Sequence, residues 1–174
     1  RLVLVEDSLI GFLEAFKKSK QYGIDLIFGL RLEICNVVEN EKMPRHKIII
    51  FARNDNGCKI LNRIYSLAYA EGDGCLSMES VADYWKESDL KLAIPFYDSF
   101  IFNNIMTFNS CTPDFSFTKP IFFYENNDLP FDAHLYHLVK QYCEANNFTM
   151  EEAKSIYYRE RSDFDAYQAY KIIC

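Results

Sequence analysis

The stretch N-D-N-G-C-K-I-L-N-R-I-Y-S-L-A-Y-A-E-G, running from Asn54 to Gly72, decides how the chain is read. Its first four residues, Asn54, Asp55, Asn56 and Gly57, favour turns, and they follow the apolar run Ile48, Ile49, Ile50 and Phe51. Helical spacing comes next: Ile60, Ile64 and Leu67 form one stripe, and Leu61, Tyr65 and Ala68 widen it. A helix with so broad an apolar face needs cover. The order is therefore strand, turn, helix, with Gly72 as the stop.

Working outward, Leu2 to Val5 is an all-apolar run that suits a strand covered on both faces. Ser8 then caps a helix whose buried stripe is Leu9, Phe12, Leu13 and Phe16, with Glu14 and Lys18 paired on the wet side and Gly23 as the stop. Ile24 to Ile34 reads as the next strand, parallel to the first, and Asn36 to Arg45 as a polar loop or hairpin tip. Beyond the anchoring helix, E-G-D-G-C is a loop. A helix follows around Met78 to Trp85, then a strand from Leu90 to Phe96 that ends at or just after Pro95, and a short helix from Phe100 to Met106. Thr107 to Lys119 has no period. Ile121 to Tyr124 is a strand, Pro130 and Asp132 open a helix reaching about Ala145, and Ser162 with Asp165 starts the last helix. Strands alternating with helices argue for a parallel sheet, open or closed.

At 174 residues the chain is one domain, residues 1–174, and its first residue, Arg1, marks it as a fragment of something longer or a chain with an unseen start. A hydrophobic fraction of 49% places it among globular proteins, with no apolar run long enough for a membrane span and no signal-peptide pattern. A net charge of −6 argues against a surface that grips phosphate backbones by itself. The six cysteines, Cys35, Cys58, Cys75, Cys111, Cys143 and Cys174, show no metal-like spacing and read as reduced thiols of a cytoplasmic protein.

The anchoring stretch resembles one family, the polymerase-and-histidinol-phosphatase (PHP) domain at the N-terminus of bacterial replicative DNA polymerases of the polymerase III alpha type. The resemblance rests on His46, Ile48, Ala52, Arg53, Asn54, Gly57, Asn62, Ser66, Ala68, Tyr69 and Gly72. It continues at Gly11, Phe16, Lys17, Lys20, Gly23, Ile24, Ile27 and Gly29, and in the closing run Y-Y-R-E-R-S-D-F-D-A-Y-Q-A-Y-K-I-I-C; from Cys75 to Asn127 only the order of elements matches. The fold it implies is a distorted seven-stranded (β/α) barrel, its first strand outside the sequence or absent. Thr149 to Ser155 stands where the family has a strand, although Thr149 and Glu152 also form a capping box for a helix.

Active members of that family hold up to three metal ions at strand ends for phosphoester hydrolysis, and such ions need anionic or imidazole ligands. Here the Asp-His pair after the first strand is Val5 and Glu6, and an acid in the second strand is Arg31, a fixed cation. A cysteine position falls on Tyr97, and a D-x-H element has become Ser155 and Tyr157. Only His46 sits where a ligand is expected, and a lone retained histidine is more often structural. Glu6 and Asp7 are a weak carboxylate pair beside a helix start, where complementing the dipole suffices to explain them.

No catalytic, cofactor or metal residue is therefore expected. His134 and His137, three apart on a helix, lack a third ligand and read as surface residues. Phe115, Phe117, Phe122, Phe123 and Tyr124 lack interleaved cations and read as core rather than a base-stacking platform. The resemblance implies a non-catalytic structural domain of a DNA-directed DNA polymerase. Its partners would be the rest of that chain and a proofreading exonuclease, with DNA met only through the parent enzyme and no membrane. The rivals are an active metal-dependent phosphoesterase or exonuclease of the same fold, and a stand-alone interaction protein.

Overall fold

The computed structural model describes residues 2–35, 45–71, 74–108 and 110–173. Gly72, most of the expected loop at residues 36–45, and Cys174 lie outside them. The elements run β1 (Leu2–Glu6), α1 (Phe12–Gln21), β2 (Leu26–Ile34), β3 (His46–Ala52), α2 (Asp55–Glu71), β4 (Cys75–Leu76), α3 (Met78–Asp83), β5 (Leu90–Ile94), α4 (Phe100–Thr107), β6 (Ile121–Tyr124), α5 (Asp132–Asn146), β7 (Thr149–Glu152) and, after a 3-10 turn at Arg161–Asp163, α6 (Phe164–Ile173). The strands form one curled sheet, a half-barrel, in the order β1-β2-β3-β5-β6-β7, with β4 beside the far end of β2.

The anchor folds as its residues require. The Asn54 side chain accepts from the Gly57 amide at 2.9 Å, so the expected four-residue turn collapses into a cap and α2 begins at Asp55. Ile60, Leu61, Ile64 and Ala68 bury one face of α2 against the sheet. Asp89 ties down the entry, accepting from the amides of Asn54 (2.9 Å) and Asn56. The Asp89 carbonyl comes so close that a Cβ on Gly57 would lie 2.2 Å from its oxygen. Gly57→Ala must push β5 and α2 apart, and about 2 kcal/mol of destabilisation is expected in chemical denaturation.

The sheet is mixed rather than parallel, which corrects the expectation. β1 and β2 are parallel as expected, but β3 runs against both β2 and β5, and β5, β6 and β7 are again mutually parallel. Alternation of elements along the chain carries no information about strand direction, which is set by pairing. β4, read as loop, is a two-residue parallel bridge to Glu33 and Ile34.

Two N-terminal expectations also fail. β1 is an edge strand with Leu2 and Val3 half exposed, not a strand covered on both faces. α1 starts after Gly11 with no side-chain cap from Ser8, since a glycine inside the first turn costs about 1 kcal/mol of helix propensity. Phe12 reaches Phe28, with ring centroids 4.4 Å apart, whereas Leu13 and Phe16 of the expected buried stripe remain exposed. Glu14 and Lys18 form no ion pair among the described residues. Gly23 does end the helix, at φ +63°.

Elsewhere local signals hold. Ser77 and Ser99 cap α3 and α4, accepting from the amides of Ser80 and Phe102. β6 and α5 fall where expected. At Thr149 the strand wins over the capping box, because parallel pairing with β6 satisfies its backbone. The last helix is opened two residues early by a reciprocal box between Glu160 and Asp163 rather than by Ser162 and Asp165. Phe122 lies at the centre of an aromatic core, within 6.3 Å of Phe100, Phe115, Tyr142 and Phe148. Cys35, Cys75 and Cys143 are buried thiols outside any disulfide. Among the described residues no helix is long and apolar enough to cross a membrane.

Candidate functional site

Because β3 alone is reversed, β1, β2, β5, β6 and β7 all point their carboxyl ends at one rim, together with the start of β3. Ligands of α/β sheets sit at such rims. The positions singled out in the sequence fall here, in two clusters.

The first cluster is ionic. Arg31 donates from Nε and Nη2 to the two carboxylate oxygens of Asp7, at 2.6 and 2.8 Å. This bidentate pair holds the Asp7 carboxyl below the usual carboxylate range, against the opposing cost of burial, and nearby Lys47 adds to the effect. The same pair raises the pKa of Arg31 further, so its charge is permanent. Tyr157, beyond β7, lies near enough to Arg31 to add to this shift. Lys47 pairs with Asp98 at 3.6 Å and Arg45 with Glu33 at 3.3 Å, so these two cations, like Arg31, each have an acid. Glu6 stays exposed and does not join Asp7. Val5 lies opposite Gly29, where a Cβ would run into the Phe51 ring at 2.5 Å, so glycine there lets that ring cross β2.

The second cluster is a hydrogen-bond network joining Tyr97 to Ser155. Tyr97 donates to Asp132 at 2.7 Å, and Asn127 donates to Tyr97 at 3.3 Å and to Glu125 at 3.1 Å. Ser155 donates its hydroxyl and its amide to Glu125, at 2.7 and 3.3 Å. The second oxygen of Asp132 accepts the amides of Asn127 and Leu129, at 2.9 and 3.2 Å. Glu125 and Asp132 are both buried, yet every carboxylate oxygen has a donor. Burial and the Asp132 carboxylate push the Tyr97 phenol up to about 12, so it stays a donor.

His46 is elsewhere. It opens β3 opposite Ile34, on the face that carries Ile48 and Ile50 into the core, and it is 3% exposed with its ring edge-on to Phe100. Its Nε2 has no partner among the described residues, and burial lowers its pKa to about 4. The one residue that matched a ligand position thus turns away from the face that carries Arg31. His134 and His137 are exposed on α5, and Phe115 and Phe122 are core. Among the described residues no three of His, Cys, Asp and Glu converge as a metal site needs.

Compared with models of known protein families and with curated proteins, the chain matches none. A divalent ion needs oxygens or imidazoles with free lone pairs. Among the described residues of the rim, Asp7, Glu33 and Asp98 are paired with cations, and Glu125 and Asp132 accept amides and hydroxyls. The residues do not fit a resident metal cluster. Sequence reasoning missed Glu125, Asn127 and Lys47; the run E-N-N-D after the apolar Ile121–Tyr124 was the available signal, being polar residues at the carboxyl end of a strand.

Proposed function

We propose that the chain is a degenerate member of the polymerase-and-histidinol-phosphatase class. It serves as a non-catalytic structural domain of a replicative DNA polymerase of the alpha-subunit type. The half-barrel and its parallel carboxyl-end rim support the fold part of this reading. The observation that carries the functional part is the Arg31–Asp7 pair, a fixed cation bound across both oxygens of the only carboxylate that follows β1 into the rim. A metal ion placed there would face Arg31 and would have to displace it. In this reading the rim's bonding has turned inward, from ligands to the fold itself, and the domain braces the polymerase chain and offers a surface to a proofreading exonuclease.

The test is turnover of a generic phosphoester by the purified chain with manganese or zinc. Background hydrolysis is expected with either ion, and metal-dependent turnover that is lost in Asp7→Asn would replace this reading with an active phosphoesterase. Coding sequence beyond Cys174 tests the parentage, because polymerase carboxylates are expected there and their absence would contradict it.

A further inference from the structure

Ile60, Leu61, Ile64 and Ala68 bury one face of α2, which leaves Asn62, Arg63, Ser66 and Ala70 exposed on the other, at helical spacings of three and four. Together with Leu67, and with Tyr84 at the end of α3, they line an open groove of about 450 Å³. That volume suits a small molecule. Among the described residues no carboxylate lines the groove, and the side chains of Asn62, Arg63, Ser66 and Tyr84 have no hydrogen-bond, ion-pair or ring partner. Other cations beside concave surface are already neutralised. Arg31, Arg45 and Lys47 of the rim have their acids, and Lys140, in a groove of about 460 Å³ beside β7, pairs with Glu144 at 3.9 Å. Arg63 therefore supplies a free guanidinium to a groove with no opposing charge.

We infer that this groove binds a nucleotide, with its phosphate on Arg63, Asn62 and Ser66 and its base on the Tyr84 ring. The donor set favours phosphate over carboxylate. A carboxylate offers two oxygens, which the guanidinium fork fills by itself, whereas a phosphomonoester offers three and so uses the amide and the hydroxyl as well. Tyr84, Leu67 and Ala70 add flat and apolar surface that a bare phosphate would leave uncovered. Stacking on a tyrosine does not select a base, because every base has a π-face.

Isothermal titration calorimetry of the purified chain with AMP and with CMP tests this, with inorganic phosphate and adenosine as the two halves of the ligand. Both nucleotides are expected to bind at one site per chain, with AMP at least about tenfold tighter than either half. Arg63→Gln is expected to weaken AMP by at least about tenfold, through the lost hydrogen bonds to a charged partner, with an unchanged thermal melt because the side chain is exposed. Tyr84→Ala is expected to bring AMP down to the affinity of inorganic phosphate. Ser66→Ala, a change that favours the helix, is expected to weaken AMP about fivefold, a readout that stands even if Arg63→Gln fails to fold. Lys119→Ala removes an exposed cation outside the groove and is expected to bind AMP like the parent. The assignment would be overturned if neither nucleotide bound saturably, or if adenosine or inorganic phosphate bound as tightly as AMP. AMP affinity left at the parent value by a folded Arg63→Gln, by Tyr84→Ala or by Ser66→Ala would overturn it as well.

Discussion

Glu125→Ala is expected to lower the unfolding free energy by about 3 kcal/mol, measured by denaturant titration at neutral pH. The carboxylate is buried and accepts the Ser155 hydroxyl, the Ser155 amide and the Asn127 amide. Three hydrogen bonds to a charged acceptor are lost, each worth about 1.5–3 kcal/mol, and water recovers part of this because Ser155 and Asn127 are exposed. The substitution also cuts the connection between the end of β7 and the end of β6, so the segment carrying Tyr157 loses one of its anchors. Ser155→Ala, which removes a single hydroxyl, is expected to cost about 1 kcal/mol. If both variants denature like the parent chain, the network is surface decoration and the inward-turned rim is wrong.

The second large effect is an acid sensitivity carried by His46. Its pKa falls from 6.5 to about 4 because burial penalises the imidazolium. Above pH 6.5 folded and unfolded chains both hold it neutral, and it adds no pH dependence. Between 6.5 and 4 the unfolded chain takes up a proton that the folded chain refuses, so stability falls as pH falls through this window and levels off below it. At about 1.36 kcal/mol per pH unit the loss amounts to about 3 kcal/mol. Carboxylates such as Asp7 and Asp132, whose pKa values are lowered in the fold, add their own losses at still lower pH. The His46→Leu chain isolates the histidine: it should lack the slope between 6.5 and 4. At neutral pH it should be at least as stable as the parent, since it no longer buries the unpartnered Nε2. An unchanged slope would mean that His46 is not buried as described.

These two residues show what could be read from the sequence. His46 alternates with Ile48 and Ile50, and that period of two already placed it on the buried face of β3, which matters more than its match to a ligand position. Elements with local signals, α4 with Ser99 and α5 with Asp132, were legible because cap and helix are neighbours in the chain. Strand direction was not, since β3 is reversed by pairing with β2 and β5 over long range. The strand state of Thr149–Glu152 comes from β6 rather than from its own residues, of which only Met150 is half-buried. In the site, the sequence showed that Val5, Arg31, Tyr97 and Ser155 are not the ligand types that the resemblance would require. That Arg31 would clasp Asp7, and that Tyr97 and Ser155 would be joined through Glu125 and Asn127, depends on the ends of five strands meeting. No local pattern encodes that meeting.

In the proposed reading the strand-end rim binds its own side chains instead of metal ions. Manganese titration of the purified chain, followed by electron paramagnetic resonance of the free ion, tests it most directly. Added manganese is expected to stay free up to several equivalents, in the parent chain and in Arg31→Lys alike. Retention of one or more ions per chain in the parent, abolished by Asp7→Asn or Glu125→Gln, would contradict that reading.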